Sequence, residues 1–200
     1  METEAKLSDE LEDWARGDGP KTLGSLVALF DERSFAVLFV LLMAVPALPL
    51  PTGGVTHVFE LIVMLVALQL IAGRRMVWLP VRWRGKDLSS TTRGRFFERL
   101  LRTIRWLERH SRTRLAFLVS GRPLRSFYGL VVLALTVAAF LAPPFSGLDT
   151  LPALGVVVLS LGILLRDSIF VAAGIVIGTG GVFVEITLGS LAAKGIGSLF

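Results

Sequence analysis

The chain has 200 residues, of which 53% are hydrophobic and only 18% are charged, and its formal net charge is +5. Soluble domains have about 25% charged residues, so the composition argues against an ordinary soluble domain and favours a membrane protein. The sequence has no cysteine, which excludes disulfides, thiolate metal sites and thiol catalysis.

The N-terminal segment, residues 1–33, is acidic, with nine Asp or Glu residues against four Lys or Arg residues. It lacks the apolar core of a secretory signal. Within it, LSDELEDWA predicts a short amphipathic helix that begins near Ser8 and ends at Gly17, Gly19 and Pro20. We expect this segment to be cytoplasmic.

Five apolar stretches follow and predict an all-α, polytopic membrane protein. They cover residues 34–50, 55–72, 126–148, 150–165 and 168–188. A helical span needs about 20 apolar residues to cross a hydrocarbon core about 30 Å thick, and several of these stretches are shorter. We group them as a first membrane hairpin (34–80) and a second hairpin with a C-terminal transmembrane helix (126–200).

The two hairpins have the same order of elements. A shift of 92 positions places Pro51 on Pro143 and Arg74 on Arg166, although few residues are identical. Internal duplication of this kind is common in transporters, so the sequence predicts two tandem repeats.

Each hairpin is interrupted by helix-breaking residues. From Arg33 to Pro46 a helix would extend roughly 20 Å, which is too short to cross the membrane. We therefore predict that the first break is a re-entrant loop, buried in protein or facing a wet cavity. The alternative is a full hairpin with an extracellular loop. The loop-forming residues are Pro46, Pro49, Pro51, Gly53 and Gly54 in the first break and Pro143 and Pro144 in the second.

Residues 74–125 are strongly basic, with fifteen Lys or Arg residues against three Asp or Glu residues. Positive charge beside membrane spans stays in the cytoplasm, so we assign this loop to the cytoplasm and expect no nucleic acid as partner. Its domain, residues 81–125, contains an amphipathic arginine-rich pattern. That pattern fits either a helix lying on anionic lipid headgroups or a helix packed on its own protein.

His57 and Glu60 are the closest titratable pair in an apolar stretch, three positions apart on one helical face. Intramembrane ionisable groups are functional candidates, so the pair could carry a proton or hold a cation. The alternative is a local hydrogen bond that fixes the loop. Gln69, Asp149 and Glu185 complete the candidate polar site, and Glu185 could equally lie at the interface.

Arg74, Arg75 and Arg166 follow the ends of apolar helices and are candidates for headgroup or phosphate binding. Two ligands are too few for a metal site. We therefore predict no metal, no cofactor and no catalytic residue.

Four segments resemble the ExoD family of bacterial exopolysaccharide-synthesis membrane proteins. They are DERSF at 31–35, LPTGG at 50–54, QLIAGRRMVWLP at 69–80 and LGILLRD at 161–167. The resemblance implies a link with exopolysaccharide production and with tolerance of alkaline conditions. It transfers no catalytic residue.

Three functions follow as hypotheses. The first is a bacterial inner-membrane protein that assists exopolysaccharide synthesis or export. The second is a proton- or cation-coupled transporter or lipid translocator, and the third is a membrane enzyme acting on lipid-linked sugars. The expected partners are anionic membrane lipids, the exopolysaccharide assembly machinery and further copies of the chain.

Overall fold

A computed structural model of the chain describes residues 7–30, 33–48, 55–78, 80–89, 95–110, 122–143 and 146–197. Its helices are α1 (Leu7–Arg16), α2 (Leu23–Phe30), α3 (Ser34–Met43), α4 (Val55–Ile71), α5 (Val81–Arg84), α6 (Arg95–His110), α7 (Arg122–Leu141), α8 (Thr150–Leu165) and α9 (Ser168–Gly197). Across the described ranges, extended pairing is limited to an isolated bridge between Thr22 and Asp87. The all-α prediction is confirmed.

Helix length divides the apolar helices into two groups. By length and composition, the segments Pro123–Leu141 of α7 and Ser168–Ser190 of α9 are able to cross a membrane. The other three, α3, α4 and α8, have 10, 17 and 16 residues. At about 1.5 Å per residue, α3 extends only about 15 Å, which is half of a hydrocarbon core.

α3 ends at Met43, earlier than the apolar stretch that predicted it. Pro46 has no amide hydrogen, and a proline disfavours helical backbone in the residue before it. The last helical bond of α3 joins the Ala44 amide to the Val40 carbonyl, and the Ala47 amide then bonds to the Met43 carbonyl. Pro49, Pro51, Gly53 and Gly54 lie outside the described residues, as does Pro144 in the second break.

α8 occupies the centre of the bundle, where it packs on α3, α7 and α9, while α4 packs on α7 and α3. The main core is formed by α3, α4, α7 and α8, with the following members fully or almost fully buried: Phe39, Met43, Val63, Val132 and Val156. In the predicted repeat, α3 corresponds to α7 and α4 corresponds to α8. The contact between α3 and α8 therefore corresponds to the contact between α7 and α4. This pairing supports the internal repeat, which stays a prediction.

The amphipathic helix α6 packs on the protein through its apolar face. Phe97, Leu101 and Ile104 are buried in a second cluster with Leu11 of α1 and Leu26 of α2. Of the two interpretations of the arginine-rich pattern, the structure therefore favours the packed helix, because this apolar face is not available to lipid. α2 was not predicted, although its apolar side chains join the same cluster.

Glycines allow α8 and α9 to approach closely. A Cβ atom at Gly155 would meet the backbone of Gly178, and one at Gly174 would meet the backbone of Leu159. Gly155, Gly174 and Gly178 thus form a seam of small residues between the two helices. Helix α9 thus lies against α8 with little side-chain material between the two backbones.

The bundle has two chemically different ends. One, which we call the acid end, holds the starts of α4 and α8 with Glu60 and Asp149, and Glu185 lies one turn beyond Gly181, which packs on Pro152 of α8. The opposite or basic end holds the last turns of α4 and α8 and the arginines that follow them, Arg74, Arg75 and Arg166.

Candidate functional site

His57 and Glu60 form the hydrogen-bonded pair that their spacing predicts. His57 Nδ1 lies 2.7 Å from Glu60 Oε2 in the first turns of α4. The Glu60 side chain is fully buried, whereas 27% of the His57 side chain is exposed. Either the imidazole N–H donates to the carboxylate or the protonated carboxyl donates to Nδ1. The pair therefore links a partly exposed ring to a buried oxygen through one proton.

Phe140, near the end of α7, covers one side of this pair. The centroid of its ring lies 5.0 Å from the centroid of the His57 ring, with the planes inclined by 60°. Sequence reasoning missed this residue. The sequence does not distinguish it, because a phenylalanine that faces lipid would occur in the same kind of apolar stretch.

The second carboxyl oxygen of Glu60, Oε1, is buried and has no hydrogen-bond partner in the described part of the chain. Burying a polar oxygen without a partner costs roughly 1–3 kcal/mol in proteins, and a charged one costs more. Such a cost is expected where the group has a use. This buried oxygen without a partner makes Glu60 a candidate functional group.

Asp149 and Glu185 come close to the same place from other helices. Asp149 lies at the start of α8, where its side chain caps no helix amide, and its charge interacts with both Glu60 and Glu185. Glu185 has one buried oxygen, Oε2, with no partner. Helix α9 continues past Val184 to Gly197, so Glu185 lies within a helix. Its place inside the membrane or at the interface stays a prediction.

Thus the structure brings His57, Glu60, Asp149 and Glu185 to the acid end. The described side chains include no group of three or more His, Asp or Glu residues positioned to hold a metal ion. The arrangement is a hydrogen-bonded pair with Asp149 within electrostatic range of Glu60, and Glu185 within electrostatic range of Asp149.

Gln69 does not belong to this group. It lies twelve residues after His57, about 18 Å along α4, and its Oε1 accepts a hydrogen bond of 2.8 Å from the Trp78 amide. Its carbonyl accepts the Arg74 amide at 3.1 Å, while Gly73 has a φ of 79°. Together these bonds end α4 as a Schellman motif. The segment QLIAGRRMVWLP of the family resemblance thus contains the end of α4.

α8 ends in the same way. The Asp167 amide bonds to the Gly162 carbonyl at 2.9 Å, and Arg166 takes the left-handed position with a φ of 52°. A residue other than glycine is uncommon there. Arg166 is half-buried, whereas Arg74 and Arg75 are exposed. These three arginines lie at the basic end, away from Glu60, and headgroup binding by them stays a prediction.

These features define a class: a small chain, all-helical in its described residues, with membrane-length helices and a histidine hydrogen-bonded to a buried carboxylate. The chain belongs to the ExoD family, because the family model described as "Exopolysaccharide synthesis, ExoD" matches residues 7–187. The resemblance seen in the sequence is confirmed.

Two relatives illustrate the extent of the similarity. The chain is 33% identical over 163 residues to Protein ExoD of Rhizobium meliloti (strain 1021), an alignment that covers 76% of this chain and 64% of that protein. It is 29% identical over 175 residues to an uncharacterised protein of Synechocystis sp., covering 86% of this chain and 82% of that one. The chain thus spans slightly less than two thirds of the Rhizobium protein. No solved structure matches.

Proposed function

We propose that the protein is a multi-pass inner-membrane protein that takes part in exopolysaccharide synthesis or export. The observation that carries this proposal is membership of the ExoD family over residues 7–187. The membrane-length helices α7 and α9 support membrane insertion. The basic residues of 74–125 favour a cytoplasmic basic end, which directs the acid end to the periplasm.

Deleting the coding sequence in the bacterium of origin is expected to lower the amount of exopolysaccharide released per cell. Expression of the intact chain from a plasmid should restore it, and an empty plasmid is the control. Extracted polysaccharide is measured as total hexose. Unchanged exopolysaccharide in the deletion strain would refute the proposed role.

A second candidate function is the coupling of proton or cation movement to export. The observation that favours it is the unpartnered Oε1 of Glu60, joined through Oε2 to a partly exposed histidine. A proton that enters at His57 reaches the buried carboxyl without crossing an apolar gap. Glu60 then holds the proton at its buried position. Asp149, which interacts electrostatically with both Glu60 and Glu185, makes the surroundings acidic.

The geometry of α3 supports a re-entrant first hairpin. Met43 is fully buried and Pro46 is buried, so a helix only about 15 Å long ends with its last residues still inside the bundle. The break after α7 differs, because α7 has 20 residues and is long enough to cross a hydrocarbon core. We therefore expect a re-entrant loop in the first hairpin only.

Single cysteines test this topology without background, because the chain has none of its own. Gly53→Cys should resist a bulky, impermeant thiol reagent added to intact cells and react with a small permeant reagent. Ser146→Cys, an exposed position after α7, should react with both, and Arg84→Cys should react with the bulky reagent only after the cells are opened. Rapid labelling of Gly53→Cys by the bulky reagent would indicate an ordinary exposed loop.

A further inference from the structure

An open groove of about 490 Å³ lies between α1 and α6. Leu101 of α6 contributes an apolar surface, and Trp106, with 57% of its surface exposed, borders the groove. Four arginines line it: Arg16, Arg102, Arg105 and Arg109. Nothing in the proposed exopolysaccharide role uses this groove.

The charges of the groove do not balance. Two glutamates, Glu12 and Glu98, line it beside the four arginines, so the lining side chains carry a net charge of +2. Glu12 bonds to Arg16 at 2.6 Å and also pairs with Arg105. A single carboxylate thus holds two guanidinium groups in place.

Arg102 and Arg109 are exposed, and neither forms an ion pair with another described residue. Arg105 lies between them on α6, at spacings of three and four residues that place all three on neighbouring turns of one face. Like charges at these spacings destabilise a helix. A bound anion would remove this repulsion and would restore the charge balance of the groove.

We propose that this groove binds the phosphate group of an anionic ligand, either a phospholipid headgroup or a soluble phosphate compound. Guanidinium groups fit phosphate oxygens with paired hydrogen bonds. Arg102 and Arg109 supply the unpaired charge, while Arg105 is oriented by Glu12. The groove lies near the basic end, because α1 and α6 share a buried cluster with Leu161 and Leu164 in the last turns of α8. This position, beside an exposed tryptophan, suits a ligand close to the membrane surface.

The test uses the full chain purified in detergent, with inorganic phosphate and phosphatidylglycerol as separate probes and phosphatidylcholine as the uncharged reference lipid. Binding is measured by isothermal titration and by the thermal unfolding midpoint. The R102Q/R109Q variant should bind roughly thirtyfold more weakly than the native chain. The control R82Q/R99Q removes the same charge from exposed positions outside the groove and should change affinity by less than about threefold.

Binding of phosphatidylglycerol alone would identify a headgroup as the source of the phosphate, and binding of inorganic phosphate would identify a soluble compound. Without ligand, R102Q/R109Q should unfold at the same temperature as the native chain or a higher one, because it relieves the repulsion on α6. Equal loss of affinity in the two variants, or no binding of either probe by the native chain, would overturn the proposal. Neither result bears on the exopolysaccharide role.

Discussion

Replacing Gly174 with alanine is expected to destabilise the bundle by on the order of 2 kcal/mol or more. The added methyl group would meet the backbone of Leu159 in α8, and the backbone cannot rotate away as a side chain can. The two helices must separate, and the contact between α8 and α9 weakens along its length. This loss opposes the gain of up to about 1 kcal/mol that alanine brings to a helix. A net loss of stability would therefore show that the steric overlap with α8 outweighs the gain in helix propensity.

Gly180→Ala is the matched control for this prediction. It makes the same substitution in the same helix, at an exposed position where a Cβ atom meets no atom within 4 Å. It should leave the unfolding midpoint unchanged or raise it. Both variants are measured by thermal unfolding in the same detergent. If Gly174→Ala were as stable as Gly180→Ala, the seam would be looser than the structure shows.

Replacing Glu60 with glutamine is expected to abolish proton movement while preserving the fold. Glutamine has the same shape and can still bond to His57 Nδ1, but it cannot bind or release a proton at neutral pH. In proteoliposomes with an imposed pH gradient and an internal pH dye, the native chain should dissipate the gradient. The Glu60→Gln protein should do so slower by about two orders of magnitude, which is the scale of a positioned proton-transfer group.

The control for that experiment is Glu10→Gln, the same chemical change in helix α1 at a position away from the acid end. His57→Gln should slow proton movement as Glu60→Gln does, and the double variant should be no slower than either, because the two side chains act as one unit. Native rates in the Glu60→Gln protein would eliminate the coupled-transport hypothesis. The family-based role in exopolysaccharide synthesis would then stand without it.

Much of the helical framework follows from local sequence. Gly17, Gly19 and Pro20 predict the end of α1, and the apolar stretch 150–165 coincides with α8. α2 escaped prediction because Leu23–Phe30 is too short for its periodicity to separate a helix from a strand. The packing of α6 on α1 could not be predicted either. The sequence pattern of an amphipathic helix is the same whether lipid or protein covers its apolar face.

The contact within the candidate site that lies on one helix was predictable, whereas the approach of residues from other helices was not. The spacing of His57 and Glu60 fixes their contact, because residues three apart share a helical face. The approach of Asp149 and Glu185 depends on how α8 and α9 cross α4, which no local pattern encodes. Gln69 shows the opposite error: its polar side chain suggested a place in the site, yet it bonds to the Trp78 amide at the other end of the helix.

The packing of α3 against α8 has a consequence for the biogenesis of the protein. α3 begins at Ser34, whereas its partner begins at Thr150, so the ribosome completes α3 long before α8 exists. A helix of ten residues has too little apolar length to remain inserted unaided. We therefore expect α3 to remain at the membrane surface or beside the insertion machinery until α8 has been synthesised. A helix that is synthesised much later, α8, thus determines the final position of α3.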